Sequence, residues 1–209
     1  MEGNKVIFHS DTFSNSYSSY KNKKIKVIVD NEEVYIANIV LPKIDKEIIR
    51  LMINDELSLR FKNTDNIMFD YFICKKTKKN IEVAVLCFNW NRGNLLENIV
   101  KDGGILKGIY PLQFYILEKY RNKINGKNFY FIFLYENSLY IIAAVNGVVI
   151  MNKVIKNLDV TSKINFRSYS DKIKHVYYAN LNEKFLADYL DEDFCYINLG
   201  PINTSNIFG

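Results

Sequence analysis

The stretch FYFIFLYENSLYIIAAVNGVVIMNKVI, residues Phe129 to Ile155, reads as three consecutive strands. Phe129 to Tyr135, Leu139 to Val145 and Val148 to Ile155 are apolar runs of strand length, rich in β-branched and aromatic residues. Glu136-Asn137-Ser138 supplies the first turn. Asn146-Gly147 supplies the second, because both residues tolerate the positive φ demanded by a two-residue hairpin loop.

Downstream of this meander, Lys174 to Ala179 reads as a further strand, Glu183 to Leu190 as a short helix and Phe194 to Leu199 as a final strand or extended arm. Upstream, Ile105 to Tyr110 leads through Pro111, suited to a first helical turn, into a helix ending near Asn125-Gly126. Asn94 to Lys101 predicts a short helix with Leu95, Leu96, Ile99 and Val100 inward, stopped by Gly103-Gly104. Ile67 to Cys74 and Ile81 to Phe88 are apolar on both faces, as central strands are, and a lysine-rich turn joins them.

From Asp45, a candidate N-cap, to about Arg60 the apolar residues recur at three- and four-residue spacing. The face carrying Ile44, Ile48, Met52 and Leu57 is expected to be core, so that Ile48→Asp is expected to cost several kcal/mol. At the start of the chain, Lys5 to His9, Lys24 to Asp30 and Val34 to Val40 read as three strands. Asn31-Glu32-Glu33 is expected to make a tight turn between the second and third, and the polar loop Ser10 to Asn22 to be exposed.

A hydrophobic fraction of 48% over 209 residues excludes global disorder and allows one large domain or two small ones. The apolar runs are strand-length and fall short of the ~18 residues of a membrane-spanning helix. The N-terminus lacks the pattern of a signal peptide, which predicts a chain that is not exported but could precede a membrane helix in a longer product. Cys74, Cys87 and Cys195 have no Cys-x-x-Cys spacing; the first two are expected to act as small hydrophobes in a reducing compartment. The net charge of +5 comes with lysines gathered at Lys21 to Lys26 and at Lys75, Lys76, Lys78 and Lys79, with Asp188 to Asp193 acidic. Such clusters fit solvated turns, or a surface facing an anionic membrane or acidic partner. They form neither an Arg-rich helix nor a stacking platform, so nucleic acid is not expected as a partner.

Catalytic chemistry has little to stand on. His9 and His175 are both at or in predicted strands, and no His/Cys cluster has metal-ligand spacing. No catalytic, nucleotide-binding or metal-binding residue is assigned, and no cofactor is expected.

The order of elements, with a meander followed by strand and helix units appearing near the N-terminus and again from Phe129, resembles the outline of an actin-like chain. Three turns depart from the nucleotide-binding pattern of that fold. His9-Ser10-Asp11-Thr12-Phe13-Ser14, Leu134-Tyr135-Glu136-Asn137-Ser138 and Tyr177-Tyr178-Ala179-Asn180-Leu181 all lack the glycines a phosphate or adenosine would need. Within the fold, the chain resembles the PilM and GspL families of type IV pilus and type II secretion assembly platforms. The pieces that carry this are Val40-Leu41-Pro42 before an amphipathic helix, Phe69-Asp70-Tyr71 followed by Ile81 to Leu86, and Asp102-Gly103-Gly104-Ile105-Leu106 followed by Ile109-Tyr110-Pro111. To these are added the hairpin Val145 to Ile155 and the run Ile197-Asn198-Leu199, similar to one that precedes the membrane helix of the secretion members. The interval between Ile155 and Lys174 is too short for the usual helical subdomain over the nucleotide.

The resemblance implies a degenerate actin-like (RNase H-like) two-lobed α/β fold with mixed sheets. Its first lobe would be residues 1–126 with a small α/β subdomain inserted at about 41–100. A reduced second lobe would span 127–200, and 201–209 would form a tail. It implies a non-catalytic scaffold at the inner face of the bacterial cytoplasmic membrane, linking the assembly ATPase to PilN-like platform proteins, with a homodimer as a further expectation. Ile197, Asn198 and Leu199 are the candidate connector to a partner or membrane segment, and removal of residues 202–209 is expected to leave the melting temperature unchanged. The competing expectation is an actin-like or RNase H-like phosphotransferase or nuclease, for which strand-end carboxylates other than Asp11 and Asp30 are wanting.

Overall fold

The computed structural model describes residues 5–8, 20–90, 93–158, 171–182, 185–186 and 194–203. The chain divides into two compact units, Glu33–Asn91 and the remainder (Met1–Glu32 with Arg92–Gly209).

The Glu33–Asn91 unit is an antiparallel sheet of three strands with one helix. Numbered along the whole chain, the N-terminal strands are β1 (Lys5–Phe8) and β2 (Lys24–Val29), followed in this unit by β3 (Tyr35–Pro42), α1 (Lys46–Arg60), β4 (Ile67–Lys76) and β5 (Asn80–Asn89). The sheet order is β3-β5-β4, so β5 is central and β4 lies at an edge. This corrects the reading of both as central strands. Asp70, Cys74, Lys75 and Lys76 of β4 are exposed, while Ile81, Val83, Ala84, Val85 and Cys87 of β5 are buried. Cys74 is accordingly an exposed thiol and not the buried small hydrophobe expected, whereas Cys87 is buried.

In α1, Asp45 occupies the N-cap without a side-chain capping bond, and Ile49, Ile53 and Leu57 form the buried stripe. They pack on Ala37, Ile39, Leu41, Val83 and Val85, with Ile44 and Met52 partly buried at the margin. Ile48 is 46% exposed, which corrects the expectation that it belongs to the core. The apolar arc of α1 is wider than the sheet beneath it, and one row of i, i+4, i+8 residues fills the contact.

The other unit has two sheets. In the first, β1, β2 and β6 (Ile105–Pro111) run parallel in the order β1-β2-β6. This corrects the expected N-terminal meander: no hairpin joins β2 to β3, which belongs to the other unit. Asn31, at φ 55°, redirects the chain after β2.

The second sheet holds β7 (Phe129–Tyr135), β8 (Ser138–Val145), β9 (Val148–Ile155), β10 (His175–Ala179) and β11 (Cys195–Asn198) in the order β11-β10-β7-β8-β9. The expected meander forms here. β7, β8 and β9 are antiparallel neighbours, and Asn146 (φ 55°) and Gly147 (φ 80°) take the left-handed conformations their turn requires. β10 joins β7, and β11 joins β10, both in parallel.

Two helices accompany these sheets, α2 (Gly93–Lys101) and α3 (Leu112–Tyr120), the latter extended by a 3-10 turn Arg121–Lys123. Leu95 and Ile99 of α2 are buried, but Val100 is 61% exposed and does not face inward as expected. The helix stops at Gly103 (φ 77°), and Gly104 is required for space, since a Cβ there would lie 2.8 Å from the Ile99 carbonyl and 2.9 Å from Ile25 Cδ1. Leu112, Tyr115, Ile116 and Tyr120 of α3 pack with Phe129, Phe131 and Phe133 into one core, while Tyr130, Ile132, Ile141 and Tyr178 start a second on the sheet's other face. The expected helix Glu183 to Leu190 lies largely outside the described residues, as do the first turn, His9 to Ser14, and most of the interval between Ile155 and Lys174.

Candidate functional site

Ile197, Asn198 and Leu199 are brought together at the edge of the five-stranded sheet. Ile197 sits opposite Tyr177 and Asn198 opposite Tyr178 in the parallel β10–β11 register. The Leu199 amide donates to the Tyr178 carbonyl at 2.8 Å, and Ile197 and Leu199 are half-buried against the larger core. Asn198 is exposed, its Oδ1 accepting the Gly200 amide at 2.8 Å. The chain then turns at Gly200 (φ 83°), whose carbonyl accepts the Asn180 amide at 3.1 Å. Tyr120 donates its hydroxyl to the Pro201 carbonyl at 3.0 Å, and Ile202 is buried in the core. The run therefore leaves the sheet along a fixed path. Burial of Ile202 corrects the expectation that residues 202–209 are dispensable for stability.

The ends of β2, β7 and β10 form a second region. Asn31, Glu136 and Asn180 all hold positive φ, at 55°, 51° and 56°. The backbone conformation is the one glycine favours, and each of the three positions carries a side chain instead. Asn180 Nδ2 donates to the Leu134 carbonyl at 2.8 Å, tying the end of β10 to the end of β7. Tyr140 accepts the Asn31 amide at 3.0 Å and donates to Asn31 Oδ1 at 3.3 Å, and its ring stacks on Phe133 at 4.8 Å. Gln113 donates through Nε2 to the Glu32 carbonyl at 2.8 Å and to Asn152 Oδ1 at 3.1 Å. Asp30 and Gln113 are each 1% exposed.

Asn31, Tyr140 and Gln113 fasten the β2 exit to the second sheet. Burial, with the charges of Glu136 and Asp30 adding to it, pushes the Tyr135 phenol up to about 12. Tyr140 is raised as well, by burial first, against a lowering backbone hydrogen bond from Asn31. Both phenols stay neutral hydrogen-bonding groups at physiological pH. His175 is exposed and stacks on Tyr177 at 6.4 Å, His9 lies outside the described residues, and no metal-holding cluster of His, Cys, Asp or Glu occurs among the described residues. Sequence reading missed the Asp30, Asn31, Gln113 and Tyr140 cluster. Its one local signal is Gln113, a polar residue set into the otherwise apolar Leu112 to Leu117 run.

No family model and no curated protein matches the chain in sequence. Solved structures match it in fold. The PilM-PilN type IV pilus biogenesis complex is similar with a TM-score of 0.62 at 11% identity, over 87% of this chain and 70% of that one. The cytoplasmic domain of EpsL, an inner membrane component of the type II secretion system of Vibrio cholerae, is similar with a TM-score of 0.52 at 10% identity, over 90% of this chain and 74% of that one. The chain has the actin-like α/β fold of PilM- and GspL-type components, carried on one parallel, one antiparallel and one mixed sheet.

Proposed function

We propose that the protein is a non-catalytic scaffold of a type IV pilus or type II secretion-like assembly machine. It links a cytoplasmic assembly ATPase to PilN-like inner-membrane platform proteins and works at the inner face of the membrane. The likeness in fold to the PilM-PilN complex is the observation that carries this reading. Residues 1–126 and 127–200 would form its two lobes, and two copies would form a homodimer. The edge segment Ile197, Asn198 and Leu199 is the proposed connector, because its path out of the sheet is fixed at Gly200 and Ile202.

A binding role without nucleotide turnover is supported by Glu136 and Asn180, positive-φ positions in two of the turns that lack glycine, where a side chain replaces bare backbone. Mg-ATP is expected to leave the melting temperature unchanged at millimolar concentration. Co-expression with the PilN-like platform protein and the assembly ATPase of the same organism tests the role itself. Co-elution of the platform protein is expected. Failure of both candidates to co-elute, or a single-site ATP isotherm, would overturn the reading.

A further inference from the structure

One end of the Glu33–Asn91 unit gathers lysines that the sequence scatters. The β3–β5 register places Pro42 opposite Asn80, and the β4–β5 register places Lys76 opposite Ile81. The Lys43 amide donates to the Lys79 carbonyl at 2.8 Å, which brings the end of β3 onto the β4–β5 turn. That turn is held tight by Thr77, whose Oγ1 accepts the Asn80 amide and donates to the Asn80 carbonyl, both at 2.9 Å. The Tyr71 hydroxyl donates to the Lys46 carbonyl at 3.5 Å, setting the first turn of α1 beside β4. Lys43, Lys46, Lys75, Lys76, Lys78 and Lys79 are thus presented together, and all are exposed.

Of these six, Lys75 pairs with Glu82 at 3.3 Å; the other five meet no carboxylate among the described residues. Asp45 and Glu47, in the first turn of α1, reduce the local charge without pairing to it. Just past them, Ile48 and Leu51 are 46% and 66% exposed on the outward side of α1. An end of a folded unit that combines unpaired ammonium groups with protruding aliphatic side chains has the chemistry of an interfacial surface: the charges attract anionic headgroups and the aliphatics enter the headgroup layer.

We infer that this lysine end docks on an anionic phospholipid bilayer. Lysine on a flexible stem acts as a diffuse point charge, without the planar fork by which arginine clasps a particular carboxylate or phosphate. Exposed Ile48 and Leu51 add a feature that a nucleic-acid backbone does not use, and a lipid surface does. The inference deepens the proposed role at the membrane and rests on it for a bilayer being within reach; the lysine geometry itself does not depend on that reading.

The test is co-sedimentation of the full chain with vesicles of phosphatidylcholine containing phosphatidylglycerol, compared with phosphatidylcholine alone. Binding to the anionic vesicles is expected, weakening steeply between low and physiological salt. The variant K43Q/K76Q/K78Q/K79Q should fold with an unchanged melting temperature and partition about six-hundredfold more weakly, at roughly fivefold per lysine. L51S should weaken partitioning several-fold, whereas K119Q/R121Q/K123Q should leave it unchanged. Absence of anionic-vesicle binding at low salt, an undiminished quadruple variant, or equal loss in the K119Q/R121Q/K123Q control would overturn the inference. Tighter retention on polyglutamate or single-stranded DNA than on vesicles would also overturn it, naming a different partner. Because no partner protein is present, a failure here is distinct from a failure of co-elution.

Discussion

Ile48 and Ile53 share α1 yet meet opposite environments, 46% against 0% exposed. Ile53→Ala is expected to destabilise the fold by about 2–5 kcal/mol, the cost of a core cavity. Ile48→Asp is expected to cost about 0.5 kcal/mol or less, since it removes no packing and buries no charge. Urea denaturation of the two variants checks the contrast, and equal losses would refute it. Cys87 makes a second residue-level statement. Burial pushes its thiol from the ordinary 9.0 up to about 11, with the Arg60 charge opposing. Above pH 9 the unfolded chain releases this proton while the folded one retains it, so stability is fully present below that pH and declines as pH rises towards 11. The buried phenol of Tyr135, pushed up to about 12, extends the decline in the same direction. Melting temperatures from pH 7 to 11 should be level at first and then fall, and Cys87→Ala should flatten the first part of the fall.

Strand β11 and the turn that follows it behave as one element. The sequence marks Gly200 and Pro201 as breakers of regular structure, which is correct locally, but it does not show that the chain folds back to bury Ile202. A chain ending after Leu199 loses that side chain, worth about 1.5–3 kcal/mol, and the Tyr120–Pro201 hydrogen bond, worth about 0.5–1.5 kcal/mol. Its melting temperature is expected to drop by several degrees. A chain ending after Asn203 keeps both contacts and should melt like the full protein. Differential scanning calorimetry of the two truncations decides whether the tail is held by this turn.

At the scale of the molecule, the Glu33–Asn91 unit has a core of its own, built by α1 on the sheet β3-β5-β4. Expressed alone it is expected to fold with low stability, because a unit of this size buries a small fraction of its surface. Trp90 is the one tryptophan of the chain and is 6% exposed. A cooperative thermal transition with blue-shifted Trp90 emission would support independent folding. Unfolded-like emission in dilute buffer would show that the unit needs the rest of the chain.

The sequence by itself determined what local chemistry determines. Asn146-Gly147 specified its hairpin, the apolar runs specified β7, β8 and β9, and the spacing from Lys46 to Arg60 specified α1. These depend on φ preferences and side-chain periodicity within a few residues. The missing glycines in the turns holding Glu136 and Asn180 were equally legible, being a matter of residue identity at strand ends. Only the tertiary structure decided which strands pair: β1 lies parallel to β2, β3 joins β5 in another unit, and β4 becomes an edge. Only it decided that Ile53 is core and Ile48 surface, that Asn31 meets Tyr140, and that lysines just after β3, in α1, at the end of β4 and in the β4–β5 turn share one end. Such choices join residues far apart along the chain, where the entropy of loop closure changes slowly with length and leaves many pairings comparably accessible. The surface each pairing buries, summed over the whole core, selects among them.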